Sequence, residues 1–311
     1  MQTSSARNVL SMKSGTISSS LPLSNSTESS AKDFIVLTKP SVTLLVVLSA
    51  ITGIILAPEQ TNPIAAITCV IATALGSASS ASFNMWYDRD IDALMVRTKN
   101  RPIPSGAIHP DDGLAFSITL GILALTLMAA CVNYLSSFIL LLSIIFYCGI
   151  YTAWLKRKTD QNIVIGGIAG SLPPIIGWLS VNQTIGAAPI ILFIIIFLWT
   201  PAHFWALAIY RKQEYSTCNV PMLPVTRGIH YTCKCILFYC VATVVSSLLM
   251  PLACQTSWIY VSTACILGFR FMQLAFMLNF YQSKQLAIKL FFFSIFYLFA
   301  LLTTLIIDQY V

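Results

Sequence analysis

PIAAITCVIATALGSASSASFNMWYDRDID, residues 63–92, holds no charged residue from Pro63 to Tyr87 and then four in quick succession, Asp88, Arg89, Asp90 and Asp92. A bilayer-spanning helix needs roughly 20 mainly apolar residues, and this stretch supplies them before its charges begin. It reads as a membrane helix that ends in acids. The rest of the chain agrees with it. The 311 residues are 57% hydrophobic and only 9% charged, where a soluble domain carries about a quarter charged residues. There is too little polar side chain to cover a water-facing globule.

The same ruler finds apolar stretches near 41–57, 63–83, 114–132, 135–154, 163–181, 187–209, 232–253, 258–280 and 286–306. That predicts an all-α polytopic integral membrane protein of about nine spans, with 135–154 and 163–181 the least regular of them. The charges test the count. With nine spans, the N-terminal tail and the connections near 84–113, 155–162, 210–231 and 281–285 share one side. Apart from Arg270, all 18 Lys and Arg residues lie in those segments or at the adjoining helix ends. The opposite connections carry Glu59 and no Lys or Arg, and the C-terminal end carries Asp308. By the positive-inside rule the tail and long loops face the cytoplasm. Membrane topology thus accounts for the net charge of +7, and nucleic acid is not an expected partner. The nine cysteines are scattered without zinc-ligand spacing or a disulfide framework and read as small buried hydrophobes.

Residues 1–33 read as a flexible, Ser- and Thr-rich N-terminal tail, and 34–311 as the integral membrane domain. The tail has no apolar core followed by a cleavage site, so it is not a secretory signal. Its shortage of acids suits a mitochondrial transit peptide, but Arg7 is its only arginine.

Asn84, Asp88 and Asp92 recur every four residues, a spacing that puts them on one helix face. Carboxylates brought together repel unless a cation joins them. Mg²⁺ suits such a site, because it takes hard oxygen ligands and is completed by waters and substrate phosphates. Arg89, Arg97, Lys99 and Arg101 follow closely and suit the remaining phosphate charge. The competing reading is a solvated helix end whose charges mark the membrane boundary. Spacing alone does not separate the two. Burial cost does favour the first, since orientation requires Lys and Arg but no acids.

NMWYDRDIDALMVRTKNRPIPSG (84–106) resembles the first aspartate-rich motif of the UbiA superfamily of intramembrane prenyltransferases, and most closely its haem farnesyltransferase family. LTKP (37–40), YTAWLKRKTDQNIVIGGIAGSLPPIIGW (151–178) and WTPAHFWALAIYRKQEYSTCNVPMLPVT (199–226) carry the same resemblance. It implies helices around a central cavity and Mg²⁺-dependent transfer of a farnesyl group from farnesyl diphosphate to a vinyl group of haem b, with addition of water, to make haem O. Asn84, Asp88 and Asp92 would be catalytic metal ligands. Diphosphate would meet Arg89, Arg97, Lys99, Arg101, Lys156, Arg157, Arg211 and Lys212. The implied partners are farnesyl diphosphate, haem b and the lipid bilayer, with a haem A synthase or a terminal-oxidase assembly factor as a candidate. The expected location is a bacterial inner membrane with the site facing the cytoplasm, the alternative being the mitochondrial inner membrane.

The superfamily carries a second aspartate-rich motif after its sixth span. This chain departs from it: HFWALAIYRKQEY (203–215) has Glu214 as its only acid. Glu214 is a candidate second metal ligand, while Arg211 and Lys212 are equally readable as topology charges. The long inner connections at 84–113 and 210–231 follow the second and sixth spans, which suggests a duplicated four-helix unit. His203, in an apolar span after Pro201, is a candidate for haem contact or proton transfer, or else an interhelical hydrogen bond. Gly166, Gly167 and Gly170 allow close helix approach, and Pro173 with Pro174 interrupts a helix. Arg270, deep in its span, is a candidate for haem propionate or diphosphate unless it snorkels. Two other functions stay open on the residues: another UbiA-type aromatic prenyltransferase acting on a quinone precursor, and an ion-coupled transporter. A transporter would place its ionisable groups at mid-membrane on broken helices, whereas here they gather at one face.

Overall fold

The computed structural model describes residues 29–60 and 62–311. The tail and its transit-peptide reading therefore fall largely outside the described residues. Helix α1 (Ala31–Leu37) starts three residues inside the expected tail, on a capping box in which Ser30 and Asp33 satisfy each other's backbone N–H groups. After Lys39, which has the left-handed φ of 47°, comes α2 (Pro40–Ile55), bent 54° from α1. Then follow α3 (Pro63–Tyr87), α4 (Arg89–Leu94), α5 (Pro110–Cys131) and α6 (Tyr134–Ile145). Helix α6 runs on into a π-helical segment (Phe146–Trp154) and one 3₁₀ turn (Leu155–Arg157). The second half comprises α7 (Asn162–Ser171), α8 (Pro173–Leu179), α9 (Ala187–Tyr210), α10 (Lys212–Thr217), α11 (Leu223–Thr226), α12 (Gly228–Leu248), α13 (Trp258–Tyr281) and α14 (Lys284–Asp308). There is no strand among the described residues.

Among the described residues eight helical spans are long and apolar enough to cross a membrane, or nine with the bent pair α1–α2 counted as one span. The expected span count holds, with the first span broken at Lys39. In lipid the contact between helices is driven by close packing and hydrogen bonds, which favours small residues at interfaces. The GSASSAS face of α3 does this. Ser79 Oγ donates to Ser117 O of α5 at 2.8 Å and Ser117 Oγ donates to Ser79 O at 2.9 Å, a reciprocal pair that pins the two helices. Helices α2 and α8 approach closer still: a Cβ on Gly53 would lie 2.1 Å from Pro174 O, and one on Gly177 would lie 2.0 Å from Ala50 O. Of the glycines flagged from sequence, Gly166 and Gly167 do meet neighbours, the Tyr151 ring and Thr200, whereas nothing lies near Gly170.

The loops expected on one side do meet each other. Arg157 pairs with Asp90, Arg227 and Thr226 with Asp160, and Gln282 with His230. At the other end Asp308 binds the backbone N–H of Ser257 at 2.5 Å and also its hydroxyl, capping α13.

Candidate active site

Asp88 ends α3 and starts α4, with its side chain fully buried. A buried carboxylate is costly unless paired and hydrogen-bonded. Its Oδ2 accepts from Asn84 Nδ2 at 2.7 Å and from Lys156 Nζ, while Arg157 Nη2 stands 3.6 Å from Oδ1. Asn84 also donates to Thr152 Oγ1 at 3.3 Å and accepts from Lys39 Nζ at 2.8 Å. One face of α3 thus carries an acid and an amide that hold three cations, contributed by the α1–α2 break and the 3₁₀ turn.

The π-helical segment explains how residues so distant in sequence converge. Such segments appear mostly as single-turn bulges and cluster at functional sites, because the wider turn shifts side-chain direction. Here it aims Thr152 at Asn84, presents Ala153 O to Tyr87 Oη at 3.0 Å, and hands on to the turn bearing Lys156 and Arg157. Asp92, also buried, pairs with Arg101 Nη1 at 2.5 Å, and its backbone carbonyl accepts from Thr98 Oγ1 at 2.9 Å. Lys39 lies within the field of Asp88, Asp92, Arg101 and Lys156. The exposed Asp90 takes a two-pronged bond from Arg157, 2.7 Å on each oxygen, which holds its carboxyl below the usual range. Asp160 is likewise held low: burial works to raise it, but hydrogen bonds from Arg227, Gln161 and Thr226 outweigh that.

The structure brings Asn84, Asp88, Lys156 and Arg157 together, with Asp92 and Arg101 beside them. Other candidates lie apart. Arg89 turns out to its own helix end, donating to Trp86 O at 2.8 Å and stacking over the Trp86 ring. Arg97 and Lys99 are exposed. Arg211 pairs with Glu214 at 2.6 Å and makes no bond to the Asp88 network, although Cys218 Sγ, 3.9 Å from Ile91 O, places α10 beside α4. His203 forms an interhelical bond to Ser294. Arg270 lies outside the site, on the exposed face of α13 against Gln273.

Sequence reasoning missed Lys39, Thr152 and Asp90 as members. Lys39 stood in a quoted motif, but nothing local announced its contact with Asn84. Thr152 is an ordinary residue of an apolar span, aimed only by the π segment.

Do these groups suit Mg²⁺? Among the described residues no three His, Cys, Asp or Glu side chains converge. Mg²⁺ does not need that, being commonly held by one or two carboxylates plus waters and substrate phosphates. Asp88 Oδ1 is buried without a hydrogen-bond partner, a free hard-oxygen ligand. Asn84 Oδ1 and the Asp92 carboxylate are hard oxygens presently held by cations. The donor set fits.

A bundle of eight or nine spans among the described residues, with an amide–carboxylate face under a lysine–arginine cluster, is an arrangement suited to an intramembrane prenyltransferase. The chain belongs to the UbiA prenyltransferase family, which it matches over residues 46–298. Within that family it is 47% identical over 276 residues to the protoheme IX farnesyltransferase of Rickettsia prowazekii, covering 88% of this chain and 89% of the relative. Among solved structures it is similar in fold to a digeranylgeranylglyceryl phosphate synthase, at TM-score 0.74 and 19% identity over 89% of this chain and 98% of that one. It is also similar to a UbiA homologue of Archaeoglobus fulgidus bound to DMAPP and Mg²⁺, at TM-score 0.62 and 18% identity over 87% of this chain and 99% of that one.

Proposed function

We propose that this protein transfers the farnesyl group of farnesyl diphosphate to a vinyl group of haem b, with addition of water, to make haem O. The observation that carries the reading is the 47% identity to a protoheme IX farnesyltransferase over 276 residues, which includes the whole Asn84–Asp92 segment and the lysines and arginines around it. Cleaving the allylic C–O bond puts growing negative charge on diphosphate. In this site Lys39, Lys156, Arg157 and Arg101 are the cations available to neutralise it. Asn84, Asp88 and Asp92 would hold Mg²⁺, which when bound supplies the further positive charge. As diphosphate arrives, the cations now on the carboxylates are free to move to it. The farnesyl cation left behind must meet the vinyl carbon before bulk water, and an apolar helix bundle gives that protection.

Arg211 and Lys212 extend the positive surface from the second half, and Glu214, engaged with Arg211, is not assigned to metal. We infer a bacterial inner membrane from the resemblance to bacterial relatives, and a site toward the cytoplasm from the Lys and Arg distribution.

The test is the purified protein in lipid with farnesyl diphosphate, haem b and Mg²⁺, its product identified by mass. Haem O is the expected product, and chelation of Mg²⁺ should stop its formation. Failure of the folded protein to make it, together with turnover of 4-hydroxybenzoate, would move the assignment to a quinone-precursor prenyltransferase.

A further inference from the structure

Haem O formation has a second half that the acidic site does not serve. Farnesyl C1 bonds to the terminal vinyl carbon as its bond to diphosphate breaks, which leaves a cation on the vinyl carbon attached to the porphyrin. Water bonds there through its oxygen and must give up a proton. If no base is held at that oxygen, the water comes off again and the cation instead loses a proton from the neighbouring carbon to the released diphosphate or to water, and becomes an alkene. Asp88 and Asp92 are engaged with Lys156 and Arg101 and would hold Mg²⁺ once diphosphate draws those cations away, so neither is left free to take this proton.

His203 has the required form. The Ser294 hydroxyl donates its one hydrogen to Phe291 O at 2.6 Å. With that hydrogen on Phe291 O, its oxygen, 2.7 Å from His203 Nδ1, is placed to accept there, the arrangement in which Nδ1 carries the ring hydrogen and Nε2 the lone pair. Among the described residues no hydrogen bond is made to Nε2, and the residue as a whole is only 7% exposed. The ring is clamped between Trp199, with centroids 4.3 Å apart, and Phe291, at 4.5 Å. Trp199 is itself anchored, its Nε1 donating to Ser294 O at 2.8 Å. An interhelical hydrogen bond alone would not require a ring so fixed, with its second nitrogen left open.

Resting on the haem O reading above, we infer that His203 Nε2 accepts the proton of the water that adds to the vinyl-derived cation, and that Ser294 is the positioning residue that sets its tautomer. The proton moves from water to Nε2 as the C–O bond forms. The transfer of farnesyl itself does not use His203.

The test is product partition. Wild type, His203→Phe, His203→Gln and Ser294→Ala are each given farnesyl diphosphate, haem b and Mg²⁺ in lipid vesicles, and the farnesylated haems are separated by mass. His203→Phe is expected to go on transferring farnesyl while haem O falls on the order of a hundredfold, replaced by a product lighter by one water. Ser294→Ala should move the ratio the same way by a smaller factor. Membrane insertion and thermal melting serve as the folding control in every variant, and His203→Gln gives a second reading where the phenylalanine does not fold. An unchanged ratio in the folded variants, or equal loss of both products, overturns the inference and leaves the haem O reading intact. If wild type makes neither product, both fall.

Discussion

The helix breaks at Asp88 and at Arg211 are built alike. Asp88 (φ −89°, ψ 10°) ends α3 and begins α4, and Arg211 (φ −101°, ψ 19°) ends α9 and begins α10. Asp88 N–H bonds Asn84 O at 3.0 Å, and Arg211 N–H bonds Leu207 O at 2.9 Å; one turn on, Asp92 N–H bonds Asp88 O and Tyr215 N–H bonds Arg211 O. The side chains on these matching positions are opposite in kind. The first break reads Asn84, Asp88, Asp92, and the second reads Leu207, Arg211, Tyr215. The two breaks thus share main-chain geometry while one carries ligands for cations and the other carries a cation. That likeness arises because a helix break is set by main-chain hydrogen bonding and not by side-chain identity.

On the proposed function the first break would hold metal and the second would add positive charge for diphosphate, and substitutions at each can break that contrast. Asp88→Ala should have the largest effect, lowering activity on the order of a hundredfold or more while the protein still inserts; the haem product assay and membrane fractionation check this. Arg211→Gln should raise KM for farnesyl diphosphate about tenfold, the size of one charged hydrogen bond. A change in Mg²⁺ dependence instead would place metal at the second break. Lys39→Met should also raise that KM, by several-fold up to about tenfold, since Lys39 bonds Asn84 directly. Glu214→Gln is expected to stay within about threefold of wild type, because the amide keeps an oxygen for Arg211 and the partly exposed pair contributes little. A loss as large as that of Asp88→Ala would show that both breaks need an acid.

The smallest effect concerns pH. The Asp90 carboxyl is held below its usual 3.8 by Arg157. A carboxyl with a lowered folded-state pKa stabilises above its unfolded pKa, and the contribution is lost as pH falls through the folded value. Asp90→Asn should therefore lower thermal stability at neutral pH and not under strong acid. The side chain is 61% exposed, and screening keeps the difference below about 1 kcal/mol.

Much of the fold was legible because a bilayer imposes a length and an apolar composition on each span. Charge placement gave the sidedness of the loops for the same reason. Within the site, the four-residue period of Asn84, Asp88 and Asp92 was legible, as it follows from helix geometry alone. Arg89, Arg97 and Lys99 show the limit of that reasoning. They are close in sequence to the acids, yet they turn to solvent or to Trp86, because the helix breaks at Asp88 and the chain beyond it changes direction. Gly53 and Gly177 were not picked out as contacts, since a glycine in an apolar helix does not say which backbone will come near it.

The sequence by itself determined a polytopic helical membrane protein with an acidic helix end at NMWYDRDID among basic loops. Those properties depend on hydrophobic length, sign of charge and helical period, all local. Only the tertiary structure decided that Lys39, Thr152, Lys156 and Arg157 close on Asn84 and Asp88, and that Ser294 of α14 bonds His203 of α9. Both depend on where a broken first span and a π-helical segment carry distant residues, and hydrogen bonds between such residues leave no periodic trace along the chain.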